Sequence, residues 1–432
     1  MARRFVIIGN GVAGITAAMT LRERDPVATI TVIGGETPYF FSRTALMYAY
    51  MDTLDRRDLE PFERKVYRER RIDLVFDRVT DLDAAARTVT TAKGTTLTWD
   101  ALIVATGSTP RALTAPGLDD TLQGKVHFVS MGDLDACERW TPSTREAVVV
   151  GGGLIGIELV ECLLHHGVKT TFLVREPWYW PIALCREEGD LITAHMRAHG
   201  VDVRHEVEVA SVERDSEQRV KSVVTKGGEA LPCQMLGVAI GVEPAVGFLR
   251  GVKTPPAIGR GVKVDSYLRG SLDGVWAVGD CAEIDRGASR PLLEQIWYSA
   301  KRQGAHAARN LTGKLTPYEP PTFFNSAKFF EVEYTTVGDL NAAPPGAKSL
   351  FRKHPTKAVT QRIVHHEGRV IGFNLLGSRW DHALLTRWVD EGRTLEWTLD
   401  HLRDAQFDVE FGRADLRAMR EDELPLPVKG AA

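Results

Sequence analysis

No cysteine occurs in the first 136 residues. Nothing in that third of the chain can act as a thiol nucleophile, a thiolate metal ligand or a redox thiol. The five cysteines that do occur, Cys137, Cys162, Cys185, Cys233 and Cys281, are scattered, and no CxxC pair is among them. A zinc ribbon, an iron–sulfur ligand set and a dithiol redox motif are therefore not encoded, and no metal centre is expected. The odd count and wide spacing fit buried thiols in a reducing compartment.

An excess of one charge is lacking too. The 54 Lys and Arg residues nearly balance 57 Asp and Glu, for a formal net charge of −3. No global pull toward nucleic acid or an anionic membrane follows. No apolar run approaches the ~20 residues of a membrane-spanning helix. The apolar run before Gly9 is only four residues long, Phe5 to Ile8, too short for a signal-peptide core. A cytoplasmic protein without nucleic-acid or membrane partners is expected.

Glycine, by contrast, is plentiful, with 39 in 432 residues. Two clusters share one pattern. "RFVIIGNGVAGITAAMTLRERD" reads as a buried strand, then Gly9, Gly11 and Gly14 spaced as GxGxxG, then a helix, with a second strand over Thr29 to Glu36. "EAVVVGGGLIGIELVECLLHHGVKTTFLVRE" repeats that plan. It has a strand at Ala147 to Val150, glycines at 151, 153 and 156, a helix from about Leu154 to His166 and a strand from Lys169 to Val174. A glycine turn between strand and helix lets the backbone approach a pyrophosphate, and the helix N-terminus offers it unpaired N–H groups. Two such units imply two dinucleotides. The chemistry that joins two dinucleotides is hydride transfer between a nicotinamide and a flavin.

Four stretches carry a resemblance to a known family: the Gly9/Gly11/Gly14 turn, "ATGS" at Ala105 to Ser108, "GGGLIGIE" at Gly151 to Glu158, and "GVWAVGDCAE" at Gly274 to Glu283. The chain resembles the FAD-dependent pyridine nucleotide-disulfide oxidoreductases over about residues 4 to 315. The resemblance implies an α/β fold with two Rossmann-like dinucleotide-binding domains, the FAD domain being interrupted by the NAD(P) domain. It implies that Gly9, Gly11 and Gly14, with Val12 and Ala13 among them, hold the FAD pyrophosphate. Asp280, next to Gly279, would bind the ribityl chain, and Ala105, Thr106 and Gly107 would close over the FAD side. Gly151, Gly153 and Gly156, with Leu154 and Ile155, would bind NADH or NADPH, and Glu158 would lie near the nicotinamide. Trp297 belongs to "IWYSAKRQGAHAARNLTG", similar to the family's closing FAD-side helix, and would line the flavin.

Ribose recognition is less regular. The usual acid stands about 20 residues past the glycines. In the FAD unit Glu36 is the first acid available after the strand. In the NAD(P) unit Val174 takes the acid's place, followed by Arg175 and Glu176. Arg175 could bind a 2′-phosphate and Glu176 a ribose, with NADH slightly favoured.

The loop "PYFFSRTALMYAYMD", Pro38 to Asp52, stands where other branches of the family place a reactive cysteine. It is similar instead to a "PYxRxxLS" loop of ferredoxin, rubredoxin and nitrite reductase flavoproteins, with Arg43 and Leu46 matching. Met47 and Tyr48 depart from that pattern. Arg43 is expected at the flavin, with Tyr48 and Glu158 as further catalytic candidates. The basic run "FERKVYRERR", Phe62 to Arg71, could dock an acidic carrier.

From about Pro317 the texture changes. "TKAVTQRIVHHEGRVIGFNLLGSRW" alternates around Glu367-Gly368 as a hairpin would, and "LLTRWVDEGRTLEWTLDHLRDAQF" reads as helical. The expected organisation is a first FAD segment over 1–115, the NAD(P)H domain over 116–243, a second FAD segment over 244–317 and a C-terminal α+β domain over 318–432. The expected function is electron transfer from NAD(P)H through FAD directly to an external acceptor, a small iron–sulfur or rubredoxin-type carrier or a partner subunit. An NADH-binding signalling or scaffold flavoprotein similar to apoptosis-inducing factor, or a flavin subunit of a larger complex, stays open. The family resemblance allows a monomer or a homodimer.

Overall fold

The structure, a computed structural model, describes residues 2–338, 340, 343–407 and 420–424. The chain packs as two compact units, each assembled from separate stretches of sequence. One comprises Met1–Ala112, His127–Arg139 and Gly241–Glu319, the other Leu113–Val126, Trp140–Ile240 and Pro320–Ala432.

The first unit is built on a five-stranded parallel sheet. Its spatial order is Val275–Ala277, Ala101–Val104, Arg4–Ile8, Thr29–Gly34 and Ile72–Phe76. The central strands are continuous apolar runs because both of their faces are covered. The helix Val12–Arg24 leaves the first strand through the glycine turn. The helix Trp297–Thr312 packs along it. Their approach is so close at Gly304 that a Cβ there would lie 2.2 Å from the Ala13 carbonyl oxygen.

The second unit holds another five-stranded parallel sheet, ordered Asp202–His205, Lys169–Val174, Glu146–Val150, Met235–Val238 and Lys125–Val126. It also holds a six-stranded antiparallel sheet, ordered Phe324–Phe329, Val332–Val337, Arg369–Leu376, Thr360–His366, Lys348–Lys353 and Arg420–Leu424. A buried ion pair ties this sheet to the helix Arg186–Ala198: the Arg362 guanidinium lies 3.1 Å from the Glu188 carboxylate. The fold class is thus two Rossmann-like domains with a C-terminal α+β segment. The expected hairpin turn is present, with Glu367 and Gly368 both at positive φ (50° and 75°) between the paired strands, the geometry of a type I′ turn.

One expectation is corrected. Residues 384–407 do not form one helical run. They form the helix His382–Asp390, a break, the helix Leu395–His401 and a short 3₁₀ turn, Leu402–Ala405. Gly392 takes a left-handed φ of 62°, and the Thr394 hydroxyl then accepts from Trp397 N (3.2 Å) to cap the second helix. A glycine stop and a threonine cap outweigh continued helical periodicity. Part of the C-terminal segment, 408–419 and 425–432, lies outside the described residues.

"GSRWDH" acquires a structural role here. Asp381 caps the helix His382–Asp390, its Oδ1 accepting from Ala383 N (2.9 Å) and Leu384 N (3.1 Å). Trp380 is buried in the core of this region, and Arg379 pairs with Glu333. Asp381→Ala is expected to cost ~1 kcal/mol, read as a lowered urea midpoint with an unchanged slope.

Candidate active site

In the first glycine turn the three glycines serve different purposes. Gly9 has φ +116°, and a Cβ on it would lie 2.0 Å from the Ala105 carbonyl oxygen. A Cβ on Gly14 would lie 2.0 Å from the Gly9 carbonyl oxygen. Both are demanded by the packing of the chain on itself. Gly11 is not: its φ of −88° suits any residue, and a Cβ there would meet nothing within 4 Å. It stands as the N-cap of the helix, with no side chain capping the end and no acid in the first turn. Its bareness leaves an uncapped helix N-terminus open to an anion.

The second turn reproduces the arrangement. Gly151 has φ +119°, and a Cβ on it would lie 2.2 Å from the Ala239 carbonyl oxygen; a Cβ on Gly156 would lie 2.1 Å from that of Gly151. Gly153 again is the N-cap, with open space around it, no side-chain cap and no acid in the first turn. Val12, Leu154 and Ile155 are half-buried at the starts of their helices, and Ala13 is buried.

Around the first turn, the strand Ala101–Val104 runs into Ala105, Thr106 and Gly107, the last at φ +70°. Asp280 sits in a tight turn, and its Oδ2 accepts from Ser108 Oγ at 2.8 Å. Burial raises its carboxyl above the ordinary range, opposed by the Ser108 hydrogen bond and the Arg43 charge. Gly279 N donates to Gln303 Oε1 (2.7 Å), which fixes the turn.

The buried polar atoms Asn10 Oδ1, Gln295 Nε2 and Trp297 Nε1 find no hydrogen-bond partner among the described residues. Such atoms are costly to leave unpaired, and together with the bare Gly11 they fit a large polar ligand such as FAD. Trp297 begins the helix Trp297–Thr312, with the Lys301 ammonium 5.2 Å from its ring centroid. Asn10, Ser108, Gln295 and Gln303 were not among the residues singled out from the sequence. Ser108 was legible within "ATGS", while the others carry no local signal.

The loop residues are placed less simply. Arg43 is clamped by Glu36 at 2.6 and 3.1 Å, donates also to the Val129 carbonyl, and lies over the Phe41 ring. Glu36 in turn accepts from Met131 N at 2.9 Å. The structure therefore brings Glu36 and Arg43 together as one bidentate pair, anchoring residues 129–131. Met47 is buried, whereas Tyr48 is 38% exposed. In the basic run, Arg64 pairs with Glu60 and Lys65 with Glu63.

In the second unit Glu158 lies on the helix Leu154–His165, five residues past Gly153. Part of its surface meets solvent, yet its carboxyl lies deep among neighbouring atoms. Burial first, and then the Glu161 charge, push its pKa up to about 7. Arg175 is exposed and pairs with Glu176 at 3.0 Å. All five cysteines are buried and none is in a disulfide. The Cys281 thiol lies 3.3 and 3.5 Å from the carbonyl oxygens of Val278 and Val104, and burial raises its pKa.

The family model described as pyridine nucleotide-disulphide oxidoreductase matches residues 3–307. The chain belongs to this family. It is 30% identical over 410 residues to the 5,5'-dehydrodivanillate O-demethylase ferredoxin reductase subunit of Sphingobium sp., covering 93% of this chain and 96% of that one. It is 31% identical over 427 residues to rhodocoxin reductase of Rhodococcus erythropolis, covering 97% and 96%. A crystal structure of a ferredoxin reductase from Rhodopseudomonas palustris shares the fold, with a TM-score of 0.82 at 22% identity, over 94% of this chain and 98% of that one. This member of the oxidoreductase family is an FAD-dependent NAD(P)H oxidoreductase that delivers electrons to an external acceptor. No helix among the described residues is long and apolar enough to cross a membrane.

Proposed function

We propose that the chain transfers electrons from NADH to a small iron–sulfur or rubredoxin-type carrier, or to a partner subunit. The carrying observation is the fate of the cysteines. None precedes residue 137, and Cys281, next to Asp280, is wholly buried against backbone carbonyls. No thiol relay is available, so electrons leave for an outside acceptor. The relatives named above, a ferredoxin reductase subunit and rhodocoxin reductase, support this over a signalling or scaffold role.

Bound FAD would supply hydride acceptance from the nicotinamide and onward release of electrons. The chain's own residues hold and orient. Gly9 and Gly14 shape the first turn, and Gly11, Val12 and Ala13 present helix N–H groups to the pyrophosphate. Asp280, supported by Ser108, takes a ribityl hydroxyl. Asn10, Ala105, Thr106, Gly107, Gly279, Gln295 and Trp297 complete that side. Glu36 and Arg43 act as a pair, Arg43 being a positioning residue toward Asp280, and Tyr48 presents a neutral hydroxyl. Gly151, Gly153, Leu154, Ile155 and Gly156 take the nicotinamide nucleotide's phosphates. Glu158, its pKa raised by burial to about 7, orients the nicotinamide and offers it a carboxylate.

Arg175 is already partnered by Glu176, and that carboxylate repels a 2′-phosphate, which supports NADH over NADPH. Five buried cysteines without a disulfide support a cytoplasmic setting. We assign FAD binding to 1–115 and 244–317, NADH binding to 116–243 and carrier docking to a part of 318–432. The test is to assay the yellow protein with NADH and NADPH against a panel of ferredoxins, rubredoxins and dioxygen. A carrier reduced much faster than dioxygen, with kcat/KM for NADH at least ~10-fold that for NADPH, is expected. Peroxide formation outpacing every carrier would sink the reading, and an NADPH preference would reverse the nucleotide assignment.

A further inference from the structure

Away from both glycine turns, the helix Arg186–Ala198 and the residue that ends it present His195 and His199 one turn apart. Both rings face Glu331, in the two-residue turn between the strands Phe324–Phe329 and Val332–Val337. His195 Nε2 lies 3.0 Å from Glu331 Oε2, and His199 Nε2 lies 3.2 Å from the same oxygen. One ligand atom from each residue lies within 4.8 Å of the other two.

We propose that His195, His199 and Glu331 form a binding site for a divalent transition-metal ion of the zinc class. Two imidazoles and one carboxylate are a ligand set that such ions take, with a water in the fourth position. Tetrahedral zinc, with bonds of ~2.0–2.1 Å, sets its ligand atoms ~3.3 Å apart. The histidine–carboxylate separations are already close to that. Histidines four apart on a helix share a face, so the pair needs only the turn to complete it.

The orientation of the second ring points the same way. His199 Nδ1 lies 2.9 Å from the His195 carbonyl oxygen. A carbonyl only accepts, so the hydrogen is on Nδ1. Nε2 is then the ring nitrogen turned toward the Glu331 carboxylate, 3.2 Å away. An Nδ1–H bonded to a backbone carbonyl is the arrangement that orients a metal-binding imidazole through Nε2.

The surroundings hold the three groups in place. The Phe330 ring stacks on His199 (centroids 4.7 Å apart, 29° between planes) and meets His195 edge-on at 6.0 Å. Phe330 N donates to Glu161 Oε2 at 3.1 Å, and its φ of +54° turns the chain so that Glu331 reaches the helix. A bound ion would clamp the turn of the antiparallel sheet onto the end of that helix, across a loop of more than a hundred residues. The site is independent of the electron-transfer reading.

The test uses the full-length flavoprotein, freed of metal by chelator dialysis and titrated with zinc chloride against a competing zinc dye. One zinc per chain is expected, weakened at least ~10-fold by H195N, by H199N and by E331Q. Zinc should raise the melting temperature of the wild-type protein and not that of the H195N/H199N variant. Glu331 has 69% of its side chain exposed, so E331Q keeps the test open should a histidine variant fail to fold. Zinc binding equally tight in wild type and in E331Q, or no stoichiometric binding, would overturn the proposal and leave the cluster an ion pair only.

Discussion

Alanine at Gly9 is expected to yield a colourless, poorly folded protein, whereas alanine at Gly11 yields a folded one that retains little flavin. At Gly9 the new methyl would lie 2.0 Å from the Ala105 carbonyl oxygen and 2.5 Å from its carbon, at a φ of +116°. Neither backbone can yield without separating the two adjacent strands. A left-handed φ alone costs ~1–3 kcal/mol, and the clash adds to it, so a loss of more than ~4 kcal/mol is expected. At Gly11 the methyl has open space and an ordinary φ. The apoprotein should melt within a few degrees of wild type, with the methyl standing where the pyrophosphate must approach. Flavin-to-protein absorbance ratio and apoprotein melting together separate the cases. A fully yellow, active Gly11→Ala enzyme would disprove the assignment of that helix end to the pyrophosphate.

Glu158→Gln is expected to slow reduction of the enzyme by NADH about 30-fold at pH 8 and to make that step nearly independent of pH. Oxidising NADH leaves a positive charge on the nicotinamide ring. The carboxylate proposed beside the ring would stabilise the charge developing in the transition state by ~2 kcal/mol, which is about 30-fold in rate. With its pKa pushed up to about 7, Glu158 is mostly neutral at pH 6 and mostly charged at pH 8. The wild-type rate should therefore rise through pH 7, and the glutamine variant should lack that rise. Stability moves the opposite way. The folded pKa lies above the unfolded one, so between the ordinary glutamate value and pH 7 the folded chain keeps a proton that the unfolded chain has lost. That contribution to stability declines as pH rises through the window and stays lost above 7. The glutamine variant should gain melting temperature relative to wild type between pH 5 and 8. An unchanged pH–rate profile in Glu158→Gln would remove the residue from the reaction.

Much of the scaffold was legible in the sequence because its signals are local. Continuous apolar runs mark the parallel strands Arg4–Ile8 and Glu146–Val150, and the glycine spacing marks the turns that follow. The hairpin at Glu367-Gly368 was legible for the same reason. The helix breaks near Gly392 although periodicity continues, because Gly392 and the Thr394 cap, both present in the sequence, outweigh it. At the proposed site, Asp280 stands within a motif that the sequence displays. Its partner Ser108 is 172 residues away in sequence, and no spacing announces such a pair.

By itself the sequence determined the two dinucleotide turns and, through the absence of cysteine before residue 137, the exclusion of an N-terminal thiol relay. Both depend on which residues are present, a property that survives in one dimension. Tertiary structure alone decided that Gly9 and Gly14 are required by backbone contact while Gly11 has open space around it. It alone decided that Glu36 and Arg43 spend their charges on each other, that burial lifts Glu158 into the neutral range, and that two helical histidines meet Glu331. Each of these depends on distance and on exclusion of water between residues remote in the chain, and those arise only when the chain has packed.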